Sequence, residues 1–389
     1  MQKTIPAIFF IVLYFFSTMI HGDEINTDMG SAADLLSTLI PLIYDDTKFK
    51  APANQDTINR ELDKLIDLFN TQSRHLKSRS LTFAMSVDII LNHLKQAKST
   101  FNDGHYAISQ YMLSSTPALC STCHVQDGAH SSYSGLRIKN SFANDISYAE
   151  FLYSLRNYEL AETYYLKHLA QASVKKSRFQ FIKPMERLLT IELGIRQDPE
   201  RARKLLKRHA IDTDISDDIR KTLQDWLIGI DNIEHGLQTD IGRLEAVFKS
   251  LFSENYNTSH QFLQTEKDRP AAIWLRAKLF NVVHYTDDIA DMPKALYFLS
   301  VIDRIIGNED PYSFANMYLK QCIISYPNSE FAKICFQEYK SHIAFYYGGS
   351  GGDYVPEKLK AELYQMETAL GNAPKTMTAE EAVINNLEN

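Results

Sequence analysis

Apolar positions recur at helical spacing along most of this chain. Leu62, Leu65, Ile66, Leu68 and Phe69 form one stripe within 56–76, and Phe83, Val87, Ile90, Leu91 and Leu94 form another within 81–101. The spacing predicts four early helices, over 31–44, 56–76, 81–101 and 105–116. Asn102, Asp103 and Gly104 break the third from the fourth. Pro117 is expected to end the fourth, because the residue ahead of a proline resists helical dihedrals. From about 142 the helices come in pairs. In "YAEFLYSLRNYELAETYYLKHL" (148–169), Ala149 and Leu152 lie on a first helix, Asn157 and Tyr158 in a turn, and Ala161, Tyr165 and Leu169 on a second. Looser copies set Ala202 and Ala295 in the place of Ala161. No Asn-Gly or Asp-Gly turn sits between alternating apolar runs, so strands are not expected. The predicted class is all-α.

The first residues change the picture of where such a chain works. Lys3, an apolar run from Ile5 to Ile20, small Gly22 and then acidic Asp23 and Glu24 have the build of a secretory signal over 1–22. A retained anchor is the other reading, although the run is short for a bilayer span. No later stretch is apolar enough to cross a membrane, so no span is expected after signal cleavage. A formal net charge of −7, with acidic and basic residues interspersed, argues against nucleic acid as a partner. Phosphate-loop and H-E-x-x-H motifs are absent.

The candidate chemistry is concentrated in "TPALCSTCHVQDG" (116–128), where Cys120, Cys123 and His124 spell C-x-x-C-H. This spacing serves covalent haem attachment: two thiols form thioethers with the haem vinyl groups and the adjacent imidazole ligates the iron. Three alternatives remain. A redox dithiol wants a β-α-β setting, which an all-helical run lacks. A zinc site needs two more ligands, of which His130 could supply one. A plain disulfide leaves His124 without a role.

Residues 31–130, and "DGHYAISQYMLSSTPALCSTCH" (103–124) in particular, resemble the four-helix class of c-type cytochromes, which carry C-x-x-C-H late on the fourth helix. The pairs after 142 resemble tetratricopeptide hairpins, with irregular spacing. Together these resemblances imply a signal (1–22), a helical haem domain (23–138), an irregular tetratricopeptide-like α-solenoid (139–371) and a polar tail (372–389). They imply one covalently bound haem c on Cys120 and Cys123, with His124 proximal. Helices 81–101 and 105–116 are expected to run antiparallel about residue 103. That sets Met85 level with the motif and His93 about two turns away, and His130 could fold back, so Met85, His93 or His130 is the candidate distal ligand. Met29, Met112 or an open site stay as further options.

Cys322 and Cys335 flank a Pro-Asn-Ser break and are read as a disulfide, as suits an oxidising compartment. The Gly-rich "YYGGSGGDYVPEK" (346–358) lacks the Lys-Ser/Thr ending of a phosphate loop and reads as a turn. The expected function is a periplasmic monohaem electron carrier whose repeats dock a redox or assembly protein. The alternative is a haem sensor or scaffold that binds its partner through the repeats. A haem enzyme ranks last, because no distal acid–base pair can be named from spacing.

Overall fold

A computed structural model describes residues 31–32, 34–76, 81–126, 142, 144–231, 233, 240–252, 263, 265–285, 290–306, 315–349, 352–353 and 355–371. It is all-α. The only strand pairing among the described residues joins Gly348–Gly349 to Gly352–Asp353 inside the Gly-rich turn. The chain divides into two compact units, Met1–Tyr164 and Tyr165–Asn389. No helix among the described residues is long and apolar enough to cross a membrane; the apolar run 5–20 lies outside them.

The first unit is built on α1 (34–43), α2 (Asp46–Lys50), α3 (Pro52–Leu76), α4 (Leu81–Asn102), α5 (Tyr106–Gln126) and α6 (Asp145–Ser154). Helix α2 is a short element that the apolar pattern did not foretell. Asp45 caps it by accepting from the Thr47 and Lys48 amides. The core is the apolar stripe of each helix turned inward: Leu36, Ile40, Leu62, Leu65, Val87, Ile90, Leu94 and Leu113 are all buried. Tyr44 ties α1 to α5 by donating to the Ser114 carbonyl at 3.2 Å, and its ring packs on Phe151 of α6. Burial pushes its phenol well above the usual range, so it stays a donor.

The expected stop at Pro117 does not occur, because α5 runs unbroken to Gln126. Proline costs this helix one backbone hydrogen bond. Met112, Leu113 and Thr116 before it and Leu119 after it are all buried, and their packing outweighs that loss.

Helix α7 (Tyr158–Leu169) carries the division between the units. The second unit continues with α8 (Arg178–Leu189), which runs directly into a π-helical turn, Thr190–Ile195. Then come α9 (Pro199–Ala210), α10 (Asp217–Asp231), α11 (Ile241–Leu251), α12 (Arg269–Tyr285), α13 (Met292–Ile306), α14 (Ala315–Ser325), α15 (Glu330–Tyr347) and α16 (Glu357–Ala369). Neighbours in sequence pack on one another: α9 on α10, α12 on α13, α13 on α14, α14 on α15. Ala161, Ala202 and Ala295 are fully buried on α7, α9 and α13, as are Tyr165, Leu206 and Leu299 four residues further on. A small side chain followed one turn later by a large one lets a neighbouring helix approach and then fills the space beside it.

Buried charges in the second unit are paired. Glu192, in the π-helical turn, accepts from Arg196 and, at 2.9 Å, from Arg201. Asp303 pairs with Arg276, and Glu338 pairs with Arg304 and His342. Cys322 on α14 and Cys335 on α15 are bonded to each other, with Cα atoms 6.4 Å apart.

Candidate functional site

The C-x-x-C-H segment lies on the last turns of α5, and α4 is the helix beside it. Gly104 makes the turn between them by taking a positive φ of 80°, which glycine adopts without strain. Its amide bonds the Phe101 carbonyl at 3.0 Å, and His105 bonds Thr100 at 3.0 Å. Phe101 then wedges between Phe49 and Tyr106, each at 5.1 Å, which fixes the start of α5.

Two buried polar contacts set the register of the pair. The Ser109 hydroxyl donates to the Ala97 carbonyl at 2.8 Å. Further up, Nε2 of His93 meets the Thr116 hydroxyl at 3.2 Å, and the same ring faces the Met112 carbonyl. Position 97 is thus level with 109, and 93 with 112–116. Carried on along two antiparallel helices, this register sets position 85 level with 120–124.

Helix phase adds a second constraint. At about 100° per residue, positions 120, 123 and 124 fall in the sector of α5 that buries Ser109, Leu113 and Thr116 against α4. Tyr111 occupies the opposite, exposed side. In helical phase the three motif positions therefore share the sector of Ser109, Leu113 and Thr116.

Of Met85, His93 and His130, His93 alone has a described side chain; Met112, the further option on α5, is described and buried. His93 is fully buried, and burial pulls its pKa down to about 4, partly offset by the bond to the Met112 carbonyl. It is neutral near pH 7 and held by Thr116. It sits about 12 Å along α4 from position 85. The side chains of Met85, Cys120, Cys123 and His124 lie outside the described residues, although their backbone belongs to α4 and α5; His130 lies outside them altogether. Among the described side chains no three of His, Cys, Asp or Glu converge as metal ligands. Thr116 is the residue that sequence reasoning missed. The only sequence signal for it was its place opposite His93 across the Gly104 turn.

Comparison with protein-family models, with curated proteins and with solved structures finds no match to this chain. What the described residues define is an all-α protein with a C-x-x-C-H segment in the last turns of α5, whose earlier turns pack on α4.

Proposed function

We propose that this chain is an exported monohaem c-type cytochrome whose second unit docks a protein partner. The observation that supports the reading is that positions 120, 123 and 124 continue α5 in the helical phase of Ser109, Leu113 and Thr116, which are buried. Cys120 and Cys123 would anchor haem c covalently and His124 would ligate its iron. Bound there, the haem supplies reversible one-electron chemistry.

The protein's part is to hold, orient and keep dry. Among the described residues the buried face between α4 and α5 is apolar apart from Ser109, His93 and Thr116; Ser109 donates to the Ala97 carbonyl, and His93 and Thr116 meet each other. Met85 is the distal candidate best supported by register, because position 85 is level with the motif. His93 is already engaged with Thr116 and lies further along α4. The pairing of small and large buried residues on α7, α9 and α13 supports the likeness to tetratricopeptide hairpins and, with it, the docking role.

The test is the absorption spectrum and intact mass of the protein made in the periplasm with haem-maturation machinery. The reading expects the mass of the polypeptide plus one haem and a reversible redox spectrum. Colourless protein of bare polypeptide mass overturns it. Carbon monoxide added to the reduced form separates the carrier from the sensor: a carrier with two strong ligands is unchanged, and a sensor with an open site shifts.

A further inference from the structure

Net charge conceals a local bias in the second unit. Residues 174–209 hold 11 Lys or Arg against four Asp or Glu, in a chain whose formal net charge is −7. Part of this excess is used internally. Arg196 and Arg201 both clasp buried Glu192, and Arg203 is tied to Glu200 at 2.6 Å and to Asp231. The rest is not. Lys204, Lys207 and Arg208 are exposed on the outer face of α9 and make no ion pair among the described residues. With Arg201, half exposed, they line up at helical spacing along a single side of α9.

At the N-terminal end of that line stands Lys278 of α12. It is half-buried, yet no carboxylate faces it among the described residues. Its ammonium donates to Oε1 of Gln197 at 2.6 Å and lies 5.3 Å from the centre of the Trp274 ring. Gln197 is held for this contact by a left-handed backbone, φ 53°, between the π-helical turn and the Asp198 cap of α9. Removal from water pulls the Lys278 pKa below its usual range. A partly desolvated cation with only neutral neighbours gains most from an incoming anion.

We propose that the cationic track from Lys278 through Arg201 and Lys204 to Lys207 and Arg208 docks an acidic segment of a partner protein, one carboxylate of which seats against Lys278. This deepens the docking half of the function proposed above and rests on it. The line suits a protein segment rather than an anionic bilayer. Asp212 and Asp214, just beyond α9, share the single cation Lys175, so negative charge remains at that end of the line, and a segment ending before them avoids the repulsion.

The probe is fluorescein-labelled poly-L-glutamate, titrated by anisotropy against the full chain at low salt, with vesicles of phosphatidylglycerol and phosphatidylcholine in parallel. Poly-L-glutamate should bind, and raising the salt should release it. Lys278→Gln should weaken binding about tenfold. The triple change Lys204→Glu, Lys207→Glu, Arg208→Glu should weaken it at least as much. Those three side chains are exposed, so the triple variant should keep the parent melting temperature even if Lys278→Gln does not. Lys333→Glu, an exposed change on α15, should leave affinity unaltered. Parent-like affinity in the triple variant, or vesicle binding tighter than that of poly-L-glutamate, overturns the proposal. Binding is read without reference to haem. A failed titration on coloured protein therefore removes the docking track alone, and colourless protein that binds removes the haem alone.

Discussion

Nε2 of His93 and the hydroxyl of Thr116 meet at 3.2 Å inside the α4–α5 hairpin, with both side chains buried. The contact is a register pin: among the described residues it is the polar bond between the two helices nearest the motif. Thr116→Val removes the hydroxyl at nearly constant volume and leaves a buried ring nitrogen without that partner. The expected cost is about 1–3 kcal/mol, checked by urea unfolding.

The same histidine predicts a pH dependence. Its folded pKa is about 4, below the ordinary value near 6.5. The unfolded chain therefore binds the extra proton first as pH falls. His93 contributes no destabilisation above about pH 6.5, and its cost accumulates between about 6.5 and 4. It reaches roughly 3 kcal/mol below that window. His209 is shifted the same way, to about 4, by burial and then by the nearby Arg208 charge, and adds to the slope. His93→Leu should flatten the stability–pH curve over this window, measured as denaturation midpoints. An unchanged curve would show that His93 titrates normally in the folded protein.

At the motif, Cys120→Ala and Cys123→Ala should each leave at most one thioether, and the double variant should lose covalent haem altogether, read by intact mass. His124→Ala should retain the covalent bonds and alter the spectrum. Met85→Ala should open the sixth position to carbon monoxide if register has identified the distal ligand, and His93→Leu should not.

Among the described glycines, Gly229 on α10 is the one that other backbone approaches most closely. A Cβ at this position would fall on the carbonyl of Lys267 and crowd the Pro270 ring. The short 3-10 turn Glu266–Asp268 presses against α10 at this point, and Glu266 also accepts from the buried Trp226 indole at 3.3 Å. Gly229→Ala should destabilise the fold by about 1–3 kcal/mol despite alanine's better helix propensity. A neutral or stabilising result in thermal melts would mean the turn can move aside.

The Cys322–Cys335 bond closes the short connection between α14 and α15, with a sequence separation of 13. Replacing both cysteines by serine should lower stability by about 2–3 kcal/mol, measured by urea unfolding against the oxidised parent.

Several features were legible in the sequence alone. The stripes Leu62–Phe69 and Val87–Leu94 are the buried faces of α3 and α4, because a helix in water hides whichever side is apolar. Ala161, Ala202 and Ala295 were singled out by repeat position and are fully buried. The C-x-x-C-H motif needs no structure to be read. The end of α5 was misread, because the local preference of the residue before Pro117 is worth less than the burial of Thr116 and Leu119 on either side.

Other relationships exist only in three dimensions. Thr116 lies 23 residues from His93, and Gln197 lies 81 residues from Lys278. No local pattern encodes such pairs, since they arise when separate helices settle into one register and one crossing. The basic bias of 174–209 is present in the string of residues, but only folding shows which of those cations are consumed by Glu192 and Glu200 and which still face water. Sequence determined the helices, their buried stripes and the C-x-x-C-H motif, because these follow from local periodicity and residue order. Tertiary structure decided what holds His93 and which charges stay unpaired, because each of these depends on what packs opposite.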